Sequence, residues 1–237
     1  MQQAVNGEVV MTSELLNTIN SMFEARVPDT WAFTPGGDEF SWISPTFGLW
    51  FASLVQRDAQ QRAWLNHGRP HGYWLAGFKN PTGFLTAMKQ EVTRLHKADD
   101  WALDDVVYRT HVEQYDGVEQ LKAPAKEGVY IYGLFVEGAA WSKHDESLVE
   151  SEPKKMFTSL PVLLVTGTTQ AQKASLIRSM ALGPHGPFES PCYKYPSRTG
   201  RYFIFMVDLP TKATAEGDAK LPQHWILRGV ATLCSSE

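Results

Sequence analysis

The sequence has few cysteines and no long apolar run. Two cysteines, Cys192 and Cys234, cannot form the disulfide framework of a small secreted domain, so we expect both to be reduced and buried. The longest apolar run, Val129 to Val136, is interrupted by Gly133 and is far shorter than the ~20 residues of a membrane helix. The N-terminus lacks a basic start followed by an apolar stretch. The sequence therefore predicts a cytosolic or ciliary compartment and no membrane partner.

Motifs for common catalytic chemistry are also absent. Gly167, Thr168 and Thr169 follow an apolar strand, but no second glycine or spaced lysine completes a phosphate-binding loop, so a surface loop is predicted. No GxSxG motif occurs, and no cysteine lies beside a plausible histidine base, although a triad assembled in space would leave no such signal. We therefore predict no catalytic residue, no cofactor and no metal site.

Three groups of ionisable residues are predicted to lie in solvated loops or turns. His67 and His71 are four residues apart, but the glycines and proline around them disfavour a helical pair of metal ligands. The side chains of His144 to Glu146 are consecutive and must diverge, which disfavours acid–base catalysis. The third group lies at a helix-to-strand junction and consists of Asp99, Asp100, Asp104 and Asp105.

The charge balance disfavours a nucleic-acid or anionic-membrane surface, because the net charge is −4 and the pI is about 6.0. One segment differs: in Tyr193 to Tyr202, the cations Lys194, Arg198 and Arg201 interleave with three tyrosines. This pattern is found in nucleic-acid contact surfaces and in edge strands that avoid unwanted pairing. The acidic net charge favours an edge strand, so we predict no nucleic-acid partner and keep a nucleic-acid-binding module as the alternative.

Aromatic residues are plentiful, and eight of them are tryptophans. A chain of 237 residues buries roughly 70% of its unfolded surface, so a sizeable core is expected. We predict that Trp50, Trp74 and Trp141 belong to that core. The other tryptophans fit either the core or a partner surface: Trp31, Trp42, Trp64, Trp101 and Trp225.

Residues 1–100 are predicted to form a helical subdomain. Helices are expected at 12 to 26, after a Thr12 or Ser13 cap, at 45 to 65, and from Pro81 to about Lys97, after an Asn80 cap. Each has an apolar stripe at helical spacing, and the third helix is expected to bury its stripe. The stripes are Leu15, Ile19, Met22 and Phe23; Phe47, Trp50, Phe51 and Leu54; and Phe84, Leu85, Met88, Val92 and Leu95.

Residues 101–237 are predicted to form strands separated by turns. The expected strands are Val106 to His111, Val129 to Val136, Val162 to Thr166, Tyr202 to Asp208 and Trp225 to Leu233. Long loops are expected at Gly167 to Glu189 and Thr211 to Gln223. Helices followed by strands predict an α+β fold with segregated elements.

The segment Glu127 to Trp141, EGVYIYGLFVEGAAW, is apolar on both faces of its expected strand. One face would carry Val129, Ile131, Gly133 and Phe135, and the other Tyr130, Tyr132, Leu134 and Val136. A strand without a polar face must pack against other residues on both faces. It is typical of the centre of a barrel, a sandwich or a docking surface.

An ordered series of residues resembles the C-terminal domain of dynein heavy chains, and the sequence of Glu127 to Trp141 resembles that of the axonemal type. The series covers nearly the whole sequence. Its other members are Gly7 to Val10; Val27, Pro28 and Trp31; Trp74, Gly77, Phe78, Pro81, Phe84, Leu85 and Gln90; Leu148, Glu150, Ser151 and Pro153; Leu160 to Val162; and Trp225 with Arg228 to Ala231. It departs from the family at Pro191 and Cys192, which stand in reversed order, and at Ala213 to Lys220, which is longer.

The resemblance implies a helical subdomain followed by an incomplete antiparallel β-barrel, lying across the AAA+ ring of the same heavy chain. It implies a non-catalytic, regulatory element of a ciliary or flagellar axonemal motor, and within that group an outer-arm heavy chain. The family's nucleotide sites, stalk and microtubule-binding tip lie elsewhere in the heavy chain. Microtubules would therefore be contacted only through the parent motor, with other dynein subunits as further partners.

Overall fold

The structure is a computed structural model that describes residues 2–179, 186–212 and 220–235. The polypeptide divides into two compact units, Met1–Arg62 and Ala63–Ser236. The predicted division into residues 1–100 and 101–237 by type of secondary structure stays a prediction. Most of the long segment predicted at Ala213 to Lys220, residues 213–219, lies outside the described residues.

The first unit is helical. It contains α1 (Gln2–Val5), α2 (Ser13–Phe23), α3 (Asp29–Ala32) and most of α4 (Phe47–His67). Helix α2 begins as predicted, because Thr12 Oγ1 accepts a hydrogen bond from the Leu15 amide at 3.2 Å. Ile19 and Trp50 are the buried hydrophobic residues among those described in this unit. The unit therefore has a small core.

The second unit contains three further helices, α5 (Pro81–Leu95), α6 (Gln170–Ser179) and α7 (Pro222–Leu227). The start of α5 is as predicted: Asn80 Oδ1 accepts a hydrogen bond from the Gly83 amide at 2.9 Å, and Pro81 occupies the first turn. Three residues of its predicted stripe are buried, whereas Leu95 is 63% exposed, contrary to the prediction.

The strands belong to the second unit. In sequence order they are β1 (Tyr73–Trp74), β2 (Val106–Val112), β3 (Val129–Tyr132), β4 (Phe135–Glu137), β5 (Ala140–Ser142), β6 (Ser147–Val149), β7 (Phe157–Ser159), β8 (Leu163–Thr169), β9 (Phe188–Tyr193), β10 (Phe203–Leu209) and β11 (Ala231–Leu233).

These strands form two open sheets and a hairpin. One sheet has the order β1-β3-β8-β2, the other has the order β10-β9-β11-β4-β7, and β5 pairs with β6. The pairs are antiparallel except for β1 with β3 and β9 with β11. Within the described residues the sheets do not close into a barrel. The predicted α+β class with helices first and an incomplete barrel is confirmed.

The segment Val129 to Val136 is not one strand, contrary to the prediction. Gly133 adopts a φ of +77° and separates β3, in the first sheet, from β4, in the second. This left-handed conformation favours glycine, and a Cβ there would lie 2.7 Å from Trp74 Cδ1. The bend lets one apolar segment supply a strand to each sheet, which explains its lack of a polar face.

Three other predictions of secondary structure are wrong. Trp225 lies in α7, and only Ala231–Leu233 of the predicted strand is extended. The loop predicted at Gly167 to Glu189 contains the end of β8 and all of α6. The first hundred residues are not wholly helical, because β1 pairs with β3. In each case short elements are stabilised by contacts that no local pattern encodes.

The hydrophobic core of the second unit lies between the sheets and under α5. It contains Ile131 from β3, Val136 from β4, Val165 from β8 and Val207 from β10, each without measurable exposure. Trp225 is 1% exposed and belongs to the same core. Both halves of the Val129 to Val136 segment therefore contribute to a single apolar interior.

Candidate docking and ligand sites

Aromatic rings organise the first unit. Trp50 stacks on Trp42 at 5.0 Å between ring centroids and contacts Trp31 at 5.7 Å. Its indole Nε1 donates a hydrogen bond to Ser41 Oγ at 2.7 Å. The Arg57 guanidinium lies 4.2 Å from the centre of the Trp42 ring, in a cation–π contact. This cluster fixes the segment before α4 against the first half of that helix.

Beside this cluster, the first half of α4 carries exposed apolar residues. Phe51, Leu54 and Val55 lie at i, i+3 and i+4, hence on one face, and are 51%, 37% and 55% exposed. Phe23, at the end of α2, is 76% exposed. Phe51, Leu54 and Phe23 belong to the predicted apolar stripes, which are therefore buried only in part. The exposure identifies an apolar surface, which we call the α4 stripe (Phe51, Leu54 and Val55).

The segment Tyr193 to Tyr202 is held by contacts within the molecule. Lys194 Nζ donates to the Lys79 carbonyl at 3.1 Å, and Arg198 Nη1 donates to the Gly229 carbonyl at 2.6 Å. Arg198 also forms an ion pair with Glu137. The ring of Tyr195 is buried and meets Tyr202 edge to face at 4.9 Å. The segment is not an edge strand, contrary to the prediction: Tyr193 ends β9, an interior strand of its sheet, and the following residues connect β9 to the edge strand β10. The nucleic-acid alternative stays a prediction.

A cavity of about 310 Å³ lies in the second unit where the two sheets meet. The edge strands β2 and β10 are joined there through Thr110, whose Oγ1 accepts a hydrogen bond from the Asp208 amide at 2.8 Å. Helix α6 and the β5–β6 hairpin complete the wall of this cavity. We call this space the seam cavity. Its apolar lining consists of Val112, Trp141, Leu176, Ile177, Pro187 and Pro210.

Charged groups line the same cavity. Lys173 Nζ lies 2.8 Å from Asp208 Oδ1 and 3.4 Å from Glu189 Oε1. Burial raises the pKa of Asp208, and the Lys173 ammonium opposes that shift. Lys212 Nζ lies 3.4 Å from Glu146 Oε2. The pKa of Glu146 is lowered mainly by a hydrogen bond from Gln114 and also by one from Lys212.

Comparison with known proteins decides the family. Residues 1–234 match the family described as the C-terminal domain of the dynein heavy chain. The protein belongs to this family.

Similar curated proteins are axonemal or flagellar. The sequence is 42% identical to human dynein axonemal heavy chain 8 over 99% of its length, and 39% identical to mouse dynein axonemal heavy chain 5 over 99%. It is 41% identical to the dynein gamma chain of the flagellar outer arm of Chlamydomonas reinhardtii over 98%. These alignments span about 4 to 5% of the relatives' lengths. The predicted axonemal type and location in the cilium or flagellum are confirmed.

The structure of this dynein C-terminal domain places the sequence's other candidate residues apart from one another, and Gly167 and Thr168 are buried, contrary to the predicted surface loop. Gly167 to Thr169 end β8, and Thr169 Oγ1 accepts a hydrogen bond from the Gln172 amide at 3.3 Å, so they start α6. His71 Nδ1 lies 2.9 Å from the Leu121 carbonyl, and His67 ends α4. The turn around Asp145 is held by Ser142 Oγ, which donates to Asp145 Oδ2 at 2.6 Å.

The aspartates predicted to be solvated are all exposed: Asp99, Asp100, Asp104 and Asp105. Within the ranges that the structure describes, no group of three or more His, Cys, Asp or Glu side chains is arranged to hold a metal. None of the helices described combines the length and hydrophobicity needed to cross a bilayer.

Sequence reasoning missed a cluster around His96. The His96 ring stacks on Trp101 at 4.0 Å between centroids. Its Nδ1 lies 2.8 Å from Asp99 Oδ2, and its Nε2 lies 3.1 Å from Glu127 Oε2. Hydrogen bonds, first to Asp99 and then to Glu127, raise the pKa of His96. Asp99 is a local neighbour, but the contact with Glu127 depends on the tertiary fold and leaves no sequence signal.

The two cysteines are free and buried, as predicted. Ser190 and Thr232 are joined by a hydrogen bond of 2.9 Å between their hydroxyl oxygens. Cys192 and Cys234, each two residues further along the sequence, contact each other in the same way. Burial raises the pKa of the Cys192 thiol, and Cys234 raises it further. A protonated, buried thiol is a poor nucleophile, so Cys192 behaves as a small apolar core residue.

Proposed function

We propose that this protein is a non-catalytic regulatory domain of an axonemal dynein heavy chain, and that it packs through the α4 stripe on the AAA+ ring of the same heavy chain. Microtubules are then contacted only through the parent motor. Other dynein subunits remain further partners, and the parent motor is an outer-arm dynein. The single observation that carries the proposal is the exposed α4 stripe in a unit with a small core.

The α4 stripe supports docking because its residues are large, apolar and close together. Exposed apolar side chains scattered singly are ordinary, whereas a contiguous patch marks an interaction surface. Burying Phe51 and Val55 against a partner would contribute about 25 cal/mol per Å² of apolar area removed from water. The AAA+ ring fits as that partner, because the sequence matches only about 4 to 5% of the length of its relatives.

Regulation requires that the domain contact one ring conformation better than another. Ring conformations change as a motor proceeds through its cycle, and a docked domain shifts their populations by its difference in binding free energy. Such coupling is typically about 1–3 kcal/mol, or about fivefold or more in affinity.

The docking partner can be identified by cross-linking in the complete heavy chain. A photoreactive amino acid replaces Phe51, and a second variant carries it in place of Leu95, an exposed leucine of α5. We expect the position-51 adduct to map to AAA+ modules of the same heavy chain. Adducts at position 51 that form only with other polypeptides, or none at all, contradict the proposed docking.

The regulatory role is measured with the double substitution F51S/V55S in the complete motor, with L95S as the control. We expect microtubule affinity in at least one nucleotide state to change about fivefold or more for F51S/V55S and to stay unchanged for L95S. Equal affinities in all nucleotide states argue against regulation through this surface.

The non-catalytic role is tested separately with the isolated domain. The domain should release no phosphate from ATP, and detectable turnover of ATP refutes the non-catalytic role.

A further inference from the structure

The seam cavity has the size and lining of a small-molecule site. Its volume of about 310 Å³ lies at the lower end of the range of about 300–1,000 Å³ for ligand pockets. Trp141 forms an aromatic wall on the hairpin side, and Leu176 and Ile177 form an aliphatic wall on α6. Such walls match an apolar body rather than a strongly hydrated ligand.

One charged group at the seam cavity, Arg109, is available to bind an anion. Lys173 is shared by Asp208 and Glu189, and Lys212 pairs with Glu146. Arg109 is half-buried and lines the cavity, yet its guanidinium makes no hydrogen bond or ion pair with any residue in the described ranges. A guanidinium without a partner in the described ranges therefore lies at the edge of an apolar space.

We propose that the seam cavity binds a small amphiphilic carboxylate, with its apolar body between Trp141 and Ile177 and its carboxylate paired with Arg109. A guanidinium binds a carboxylate through two parallel hydrogen bonds, which gives orientation as well as affinity. The proposal concerns a ligand of the second unit and is independent of docking through the α4 stripe.

The ligand class is tested by calorimetric titration of the folded protein with butyrate, hexanoate, octanoate and 1-octanol. We expect saturable binding that strengthens about fourfold for each added methylene until the cavity is full. Octanoate should bind about tenfold or more tightly than 1-octanol, because only the carboxylate pairs with Arg109. Absence of saturable octanoate binding at millimolar concentrations overturns the proposal.

The location is tested with three substitutions. I177W fills the cavity and should abolish binding of both octanoate and octanol. R109Q should weaken octanoate about tenfold or more and leave octanol unchanged. K126Q is the matched control, since it removes one cation from a neighbouring cleft that Arg109 also lines, without touching the seam cavity. Octanoate binding that is weakened by K126Q or unaffected by I177W and R109Q overturns the proposal.

A second measurement covers the case in which I177W does not fold. In the unsubstituted protein, the methyl resonances of Ile177 and Leu176 should shift on titration with octanoate. Those of Leu65, which is 85% exposed on α4, should not. Shifts confined to Leu65 and other exposed apolar residues show binding elsewhere and overturn the proposal.

Discussion

Single residues decide how the strands are divided between sheets, and Gly133 is the clearest example. Its φ of +77° turns the backbone between β3 and β4, and the Trp74 ring lies where a side chain would project. The conformation and the close contact both require glycine. The sequence shows the glycine but not the ring above it, so the bend could not be predicted from the segment's hydrophobicity.

The substitution G133A is expected to lower the free energy of unfolding by about 2–4 kcal/mol. The left-handed conformation costs alanine about 1–2 kcal/mol, and displacing Trp74 adds a cost of overpacking. Urea unfolding monitored by tryptophan fluorescence measures the change. G200A is the control, because a Cβ at Gly200 meets no atom within 4 Å. Its free energy of unfolding should stay unchanged or rise by up to about 1 kcal/mol. Similar losses for both substitutions would contradict this role of Gly133.

At the scale of elements, local signals predicted some helices and missed others. Helices α2 and α5 have a side-chain cap and an apolar stripe, so both were predicted close to their observed bounds. Helix α6 has a largely polar sequence, QAQKASLIRS, and α7 has six residues, so neither shows a helical period. Their stability comes from packing on the strands, which overrides weak local preference.

Trp225 shows how strongly packing stabilises α7, since it is 1% exposed and its indole Nε1 has no hydrogen-bond partner among the described residues. W225A should cost about 3–5 kcal/mol in the free energy of unfolding because it leaves a cavity. W225F should cost less than about 2 kcal/mol, because it keeps most ring contacts and removes the unpaired donor. L227A, at an 88% exposed position, should change stability by about 0.5 kcal/mol or less. Chemical denaturation compares the three variants, and equal costs for W225F and W225A would refute the claim that ring packing stabilises α7.

The whole molecule consists of two units with unequal cores. In Met1–Arg62 the buried hydrophobic residues among those described are Ile19 and Trp50, whereas the second unit contains a large core spanning both sheets. A small core leaves local opening inexpensive in free energy. The α4 stripe belongs to the less stable unit, which is consistent with a surface that is stabilised by a partner.

Hydrogen exchange of the isolated domain should show this difference. We expect amides of α2 to exchange at least about tenfold faster than those of β8, which corresponds to about 1.4 kcal/mol less opening free energy. Mass spectrometry of peptic peptides measures both segments in one sample, with β8 as the internal reference. In the complete heavy chain, α2 and α4 should gain protection while β8 stays unchanged. Equal protection of α2 and β8 in the isolated domain would contradict the weaker core of the first unit.

The sequence by itself determined the family, the α+β class, and the starts of α2 and α5, because ordered motifs, helix caps and hydrophobic periods are local properties of the polypeptide. Only the tertiary structure decided that the segment Val129 to Val136 divides between two sheets, that Trp225 lies in a helix, and that Phe51 and Val55 are exposed. It also decided that Arg109 lines the seam cavity without a partner in the described ranges. These features depend on which distant residues meet, and neither hydrophobic period nor charge pattern specifies such contacts.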